Sequence, residues 1–213
     1  MLGDVQPRSR LVTTQLQTRH GEFSVSAFVG EAGIGADTCV AMHRGTLQEP
    51  GTLVRIHSAC LFSETFHSLD CDCADQLRES LALIAREGNG VVVYEYQEGR
   101  GQGLAAKIRG MSLMARDNVT TSAAYQALGI ATDVREYASP VSMLSALRVH
   151  PRIRVMTRNP RKIRALERAG FEIGEVVSLT YAMSPQVSAY VASKQAEMGH
   201  LLDTMAAQQS SGR

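Results

Sequence analysis

Little in this sequence ties it to a membrane, a disulfide scaffold or a nucleic-acid surface. No apolar run is long enough to span a bilayer, and the opening Met1-Leu-Gly-Asp-Val-Gln-Pro-Arg lacks the apolar core of a signal peptide. The expectation is a cytoplasmic protein without membrane contact. Net charge is nearly absent as well: 22 Lys and Arg stand against 21 Asp and Glu, a formal charge of +1. Broad nucleic-acid surfaces carry a marked basic excess, so no nucleic-acid partner is expected, and any anionic ligand must be held by local cations. Four cysteines among 213 residues do not make a disulfide scaffold. A reducing compartment instead suits them as thiolates. There is no internal repeat, low-complexity segment or linker, which leaves one α/β domain over residues 1–213, a mixed sheet with flanking helices.

Hydrophobic periodicity places strands early and helices later. Residues 21–29 alternate apolar and polar like a half-buried strand, and 52–56 read likewise. The stretch 38–42 reads as a buried strand with Cys39 in the core. From Asp75 to Glu87, Leu77, Leu81, Ile84 and Ala85 recur at helical spacing, and Gly88 ends the run. A short buried strand follows at Val91–Tyr94. Helical patterns cover about 103–116, 121–128 and 139–147, then a strand at 153–156, a helix opening at Pro160, a strand near 172–179 and a helix around 186–205. The segments 1–18 and 206–213 are expected to be flexible.

Three of the cysteines carry the first chemical signal. Cys60, Cys71 and Cys73 are spaced C-x10-C-x-C and offer three thiolates with no obvious fourth ligand. Structural zinc usually closes with four ligands, whereas catalytic zinc takes three and acidifies a bound water. The plain alternative is three buried apolar thiols. A Cys-x-Cys pair on a regular strand points its thiols to opposite faces, so the pair needs a turn, which Asp70 and Asp72 favour. His57 and His67 are the candidates to close the site.

Two strand-turn-helix junctions carry the second signal. In Tyr96-Gln-Glu-Gly-Arg-Gly-Gln-Gly103, backbone amides at glycines can approach phosphate oxygens before a helix near Leu104. Arg100, Lys107 and Arg109 add charge there. The other junction, Met156-Thr-Arg-Asn-Pro-Arg-Lys162, puts the Thr157 hydroxyl and the cations Arg158, Arg161 and Lys162 at a helix start. Plain turn glycines and a solvated basic helix end are the simpler readings of each. Together with a three-thiolate cluster, the two junctions point to a nucleotide hydrolase.

Laid side by side, these stretches resemble the GTP cyclohydrolase II family, which opens the guanine ring of GTP at the start of riboflavin synthesis. The resemblance runs almost end to end, through Arg55-Ile-His-Ser, the three cysteines, Gln76, Gln97-Glu-Gly-Arg100, Lys107-Ile108, Leu128-Gly129, Asp133-Val-Arg135, Asn159-Pro160 and Ala196-Glu-Met-Gly199. It implies an α/β homodimer with a catalytic zinc on Cys60, Cys71 and Cys73, and a magnesium ion accompanying the triphosphate. Hydrolysis falls at C8 of guanine. Arg135 matches a residue that acts at the α-phosphate during pyrophosphate release, and Asp133 a proton acceptor, although an Asp two before an Arg also reads as an ion pair. Arg55, Glu98, Gly99, Arg100, Thr157 and Lys162 match nucleotide contacts. Gln76, and less directly Thr121, match positions that read the base.

The chain also departs from the family pattern. Ala59 stands for a usual Glu, Phe62-Ser-Glu64 for Thr-Gly-Asp, Asp70 for Arg, and Ala123 and Tyr125 for Glu and Asn. Most consequential is Met111, which occupies the position of an active-site tyrosine. A thioether neither donates nor accepts a proton at neutral pH. Ring opening to a formamide does not need that phenol, whereas expelling an amine to release formate needs placed proton transfer. Three outcomes follow: a reaction that stops at the N-formyl pyrimidinone nucleotide, the full reaction to the 2,5-diamino pyrimidinone nucleotide, formate and pyrophosphate, or a non-catalytic nucleotide-binding zinc protein. The first is the expectation.

Overall fold

The computed structural model describes residues 11–29, 39–181, 188, 191–192 and 196–199. Among these residues seven strands form one mixed sheet: β1 (Leu11–Thr18), β2 (Gly21–Phe28), β3 (Cys39–Arg44), β4 (Thr52–Ser58), β5 (Gly90–Glu95), β6 (Arg152–Val155) and β7 (Glu172–Val176). Their order is β1-β2-β3-β5-β4-β6-β7. The first three pairings are antiparallel, and those of β4 with β5, β4 with β6 and β6 with β7 are parallel. The helices are α1 (Leu61–Glu64), α2 (Cys73–Glu87), α3 (Gly103–Asp117), α4 (Thr121–Ala127), α5 (Ala138–Ala146) and α6 (Pro160–Arg168), with a 3-10 turn over Glu98–Gly101. Among the described residues no helix is long and apolar enough to cross a membrane.

The period of two along the central strands divides the core. Val54, Ile56, Val91 and Val93 face one side and pack with Leu144 and Leu166 from α5 and α6. Leu53 and Val92 face the other and pack with Ile84 of α2, which Leu77 and Leu81 flank. The sheet therefore lies between two helical layers, as parallel strands buried on both faces require. Arg55 and His57 share the α2 side with Leu53, so two polar side chains are carried into the interior by strand alternation alone.

Most expected elements are present within one or two residues, and Gly88 ends α2 in the left-handed conformation with its N–H on the Ile84 carbonyl. The reading of residues 1–18 as flexible is corrected from Leu11 onward: β1 pairs along its whole length with β2. Its interior residues are exposed on both faces, so no apolar alternation marks it. β-branched Val12, Thr13 and Thr14, together with polar cross-strand pairs such as Thr13 Oγ1 to Ser26 Oγ at 2.7 Å, hold the hairpin instead. Residues 1–10 and 206–213, and most of the helix expected at 186–205, lie outside the described residues.

Parallel strands place ligands beyond their carboxyl ends. Here the chain leaves β4 toward Cys60, β5 toward the Glu98–Gly101 turn and β6 toward Thr157, and the site assembles from these three exits. Their spacing depends on close contact beneath. A Cβ on Gly90, at the start of β5, would lie 2.7 Å from Ile84 Cγ1 and 2.9 Å from both Leu53 Cβ and the Leu53 carbonyl. Gly90→Ala is expected to lower stability by about 1–3 kcal/mol, read as a lower urea midpoint at unchanged slope.

Candidate active site

The cysteines converge because the chain turns between them. Cys60 follows β4 and caps α1, Cys71 precedes the turn at Asp72, and Cys73 opens α2. The sulfurs lie 3.6 Å apart for Cys60 and Cys71 and 3.5 Å for Cys71 and Cys73. This is far beyond a disulfide bond. Thiolates about 2.3 Å from a tetrahedral zinc sit about 3.7 Å from one another, so the cluster fits that ion. Among the described residues no histidine or carboxylate joins the three. His57, one candidate to close the site, turns its Nε2 to Glu64 Oε1 at 2.9 Å and its Nδ1 to the Arg55 guanidinium at 3.4 Å. Burial pushes its pKa down to about 4, so the ring is neutral, with the proton on Nε2. His67, the other, is exposed.

A cation stands against the thiols. Lys107 Nζ is 3.1 Å from Cys60 Sγ and 2.8 Å from Glu98 Oε1, and it lies over the Phe62 ring. Hydrogen bonds from Cys71 and Cys73, then from Lys107, pull the Cys60 thiol far below its usual pKa. Glu98 also accepts the Leu61 N–H at 2.8 Å. Glu64 accepts from the Cys60 N–H at 3.0 Å and from the Tyr94 hydroxyl at 2.7 Å. Two carboxylates therefore fix the loop that carries Cys60, one from the β5 exit and one from α1. The segment Phe62-Ser-Glu64, a departure by sequence, thus supplies a support through Glu64.

A cavity of 740 Å³ opens over the cluster. Among the described residues six cations line it, Arg55, Arg100, Lys107, Arg135, Arg158 and Lys162, against the carboxylates of Asp70, Asp72 and Glu98. Arg100 is the most telling. It is 9% exposed with a left-handed φ of 58° that non-glycine residues rarely adopt. One guanidinium nitrogen donates to Ser122 at 3.0 Å, and the other is buried without a partner. Strain spent to aim an unsatisfied cation into a cavity points to an anionic ligand. Gly99 and Gly101 flank it, also left-handed, and a Cβ on Gly101 would crowd Val134 Cγ2 at 3.0 Å and the Arg135 backbone nitrogen at 3.1 Å.

Beside that turn, Arg135 grips Asp133 through two parallel bonds, Nε to Oδ1 at 3.0 Å and NH2 to Oδ2 at 2.8 Å. Arg161 adds a contact to Asp133 Oδ2 at 3.0 Å. Burial works to raise the Asp133 carboxyl, but the hydrogen bonds and charge of Arg135 outweigh it and hold it below the usual carboxylate range. Lys162, buried, donates to the Ile56 carbonyl at 2.9 Å and Ser58 Oγ at 3.3 Å. Burial depresses its pKa to about 7.

At the opposite wall Arg55 donates to Gln76 Oε1 at 2.5 Å and to the Met156 carbonyl at 2.5 Å. Gln76 donates to Asp72 Oδ2 at 2.6 Å, which also accepts the Tyr181 hydroxyl at 2.7 Å. Thr157 Oγ1 accepts the Asn159 N–H at 3.2 Å. Thr121 lines the cavity beside Met114.

The structure thus brings together Cys60, Cys71, Cys73, Arg55, Gln76, Glu98, Gly99, Arg100, Met111, Thr121, Arg135, Thr157 and Lys162 around one cavity, with Asp133 bonded to Arg135 at its edge. Arg109, grouped by sequence with the phosphate turn, is exposed and outside the cavity lining, and Arg161 reaches Asp133 and the chain around it. Glu64, Tyr94 and Tyr181 had no motif to announce them.

The GTP cyclohydrolase II family model matches residues 9–178. The chain belongs to the GTP cyclohydrolase II family. It is 39% identical over 196 residues to the GTP cyclohydrolase-2 of Azotobacter vinelandii, covering 92% of each chain. It is 39% identical over 195 residues to the riboflavin biosynthesis protein RibBA of Endomicrobium trichonymphae, covering 91% of this chain and 47% of that one, and so spans about half of that relative. Among solved structures, RibBX of A. baumannii, a two-domain 3,4-dihydroxy-2-butanone 4-phosphate synthase, aligns at 18% identity and TM-score 0.42 over 83% of this chain and 42% of that one, a likeness too loose to bear on function.

Family membership and the sulfur geometry agree on the metal. Purified protein is expected to hold about one zinc per chain, and Cys71→Ser to fall below about one tenth of that after dialysis, read by elemental mass spectrometry. Full zinc retention in Cys71→Ser would place the ion elsewhere.

Proposed function

We propose that this chain hydrolyses GTP at C8 of guanine with release of pyrophosphate and stops at the N-formyl pyrimidinone nucleotide. The observation that carries the truncated outcome is Met111, which lines the cavity with Cys60, Phe62 and Met114 and offers no proton to a leaving amine.

Zinc on Cys60, Cys71 and Cys73 would supply a water acidified toward neutral pH. The other roles fall to side chains. Arg55 and Gln76, braced by Asp72 and Tyr181, orient the base beside the thiol cluster. Arg100, with its unpartnered nitrogen, and Lys162, Arg158 and the Thr157 turn bind the phosphates, which magnesium would accompany as counter-ion. Water adds at C8 and the C8–N9 bond breaks, N9 taking the proton, so that the formyl group stays on N7. A second water at the same carbon would break the bond to N7 and release formate, and that amine needs a proton at the moment it leaves. Lys107 holds its proton between Glu98 and Cys60, and its pKa is raised by both against the effect of burial, which makes it a poor acid.

For the phosphate step, Arg135 is the group that reaches the cavity, and Asp133 holds it through a bidentate pair. A carboxylate kept below its usual range by two arginines is a weak base, so Asp133 positions Arg135 and is not itself the proton acceptor on this reading. Arg135→Ala is expected to suppress pyrophosphate release at least about tenfold, read by a coupled phosphate assay, while zinc content stays unchanged. Unaltered pyrophosphate production in that variant would reduce the Asp133–Arg135 pair to a structural one.

The product test uses zinc-loaded protein and GTP, with mass spectrometry of nucleotides and enzymatic measurement of formate. Accumulation of the formamide nucleotide with little formate is expected, and Met111→Tyr should raise formate release by about tenfold or more. Stoichiometric formate from the unmodified protein would establish the full reaction, and absence of any turnover would leave a nucleotide-binding zinc protein.

A further inference from the structure

Arg135 lines a second cavity, of 380 Å³, together with Tyr137, Arg161, Arg164, Arg168 and the carboxylate-bearing Glu136. The three α6 arginines recur at i, i+3 and i+7 and so share one helical face. Arg161 is engaged: its guanidinium donates to the carbonyls of Asp133 at 3.0 Å and Arg135 at 2.9 Å. The Arg135 charge is met by Asp133 at 2.8 Å. Arg164 and Arg168 are exposed, and among the described residues neither has a carboxylate within ion-pair distance. Glu136 is exposed too and is the single acid among the lining residues.

A second observation concerns Tyr137. The residue is 6% exposed, and its hydroxyl is buried with no hydrogen-bond partner. An orphaned buried hydroxyl is costly to desolvate and calls for an explanation. Phenylalanine would fill the same space without that cost. Tyr137 lines the same cavity as Arg164 and Arg168, and a phenol with two uncommitted guanidiniums is a donor set for an oxyanion.

We propose that this cavity is an anion site for a diphosphate group, separate from the cavity over the cysteines. Arg164 and Arg168, four residues apart on one helix, have Cβ atoms about 6 Å apart, which suits two linked phosphoryl groups, one to each guanidinium fork. The Tyr137 hydroxyl donates to one of its oxygens. Arg161 links the site to the Asp133–Arg135 loop through backbone carbonyls, so an occupant here touches the element that carries Arg135. The same chemistry is presented by free pyrophosphate and by the terminal phosphates of a nucleoside diphosphate.

Isothermal titration of the zinc-loaded full chain tests this, with pyrophosphate, orthophosphate and ADP as separate probes. The proteins are wild type, R164A/R168A, Tyr137→Phe and Arg100→Ala, the last weakening anion binding in the large cavity. Wild type should show pyrophosphate binding that persists in Arg100→Ala. That binding should weaken at least about tenfold in R164A/R168A and about threefold or more in Tyr137→Phe, with both variants unfolding no more readily than wild type. Tighter binding of pyrophosphate than of ADP assigns the free anion as occupant, and the reverse assigns the nucleotide. Isotherms for R164A/R168A and Tyr137→Phe that match wild type overturn the proposal, as does orthophosphate binding as tightly as both diphosphate probes.

Discussion

The site depends on one buried ammonium. Lys162 enters from the first turn of α6 and places its charge against the Ile56 carbonyl and Ser58 hydroxyl of β4, with the Glu95 carboxylate of β5 at 3.9 Å. Ser58 in turn donates to Glu95 at 2.5 Å and receives Arg135 at 3.4 Å. This single contact set joins two central strands, a helix and the Asp133–Arg135 loop. A buried ion costs more than it returns unless it is paired and hydrogen-bonded, and a hydrophobic replacement would be the cheaper way to close these elements together. Retaining the charge makes sense where an anion arrives. With its pKa lowered to about 7 by burial, Lys162 sits at the edge of titration, and a phosphate beside it favours the charged form.

The same logic runs through the cavity. Strand alternation sends Arg55 inward, the left-handed turn holds Arg100 there, and α3 brings Lys107 to Cys60. Each cation has a side-chain partner that helps fix its direction: Gln76 for Arg55, Ser122 for Arg100, Glu98 for Lys107, Asp133 for Arg135. Fixed donors cost no reorganisation when charge develops on a ligand. The near-zero net charge of the chain is therefore compatible with a strongly basic cavity, because the acids are distributed elsewhere or consumed in aiming these cations.

What could be read from the sequence was what repeats or has a fixed spacing. The apolar period located the central strands and α2, Gly88 and Pro160 marked helix ends, and C-x10-C-x-C named the three sulfurs that do meet. The hairpin strand β1 was missed because it is exposed on both faces and has no period to show. Which arginine faces the cavity was not legible either: Arg109 and Arg161 sit in basic stretches as plausible as those of Arg100 and Arg158, and only helical phase and the Asn159 cap decide where they point. Glu64 was invisible for another reason. Its three donors come from His57, Cys60 and Tyr94, and a contact between β4, α1 and β5 leaves no mark in local spacing.

The departure at Tyr125 is packed against α3 at Gly110, next to Met111 in sequence. A Cβ on Gly110 would lie 2.6 Å from Tyr125 Cε1, so the ring of Tyr125 occupies space that any larger residue at 110 would need. That ring is 2% exposed, and its hydroxyl donates to the Gly99 carbonyl at 3.1 Å, bracing the strained turn that aims Arg100. The phenol nearest to Met111 in chain position is thus already committed to structure, held against the turn from α4. An aromatic restored at 111 would share a wall with this one. Tyr125 on α4 thus supports the turn that carries Arg100, while Met111 on α3 lines the same cavity with a thioether.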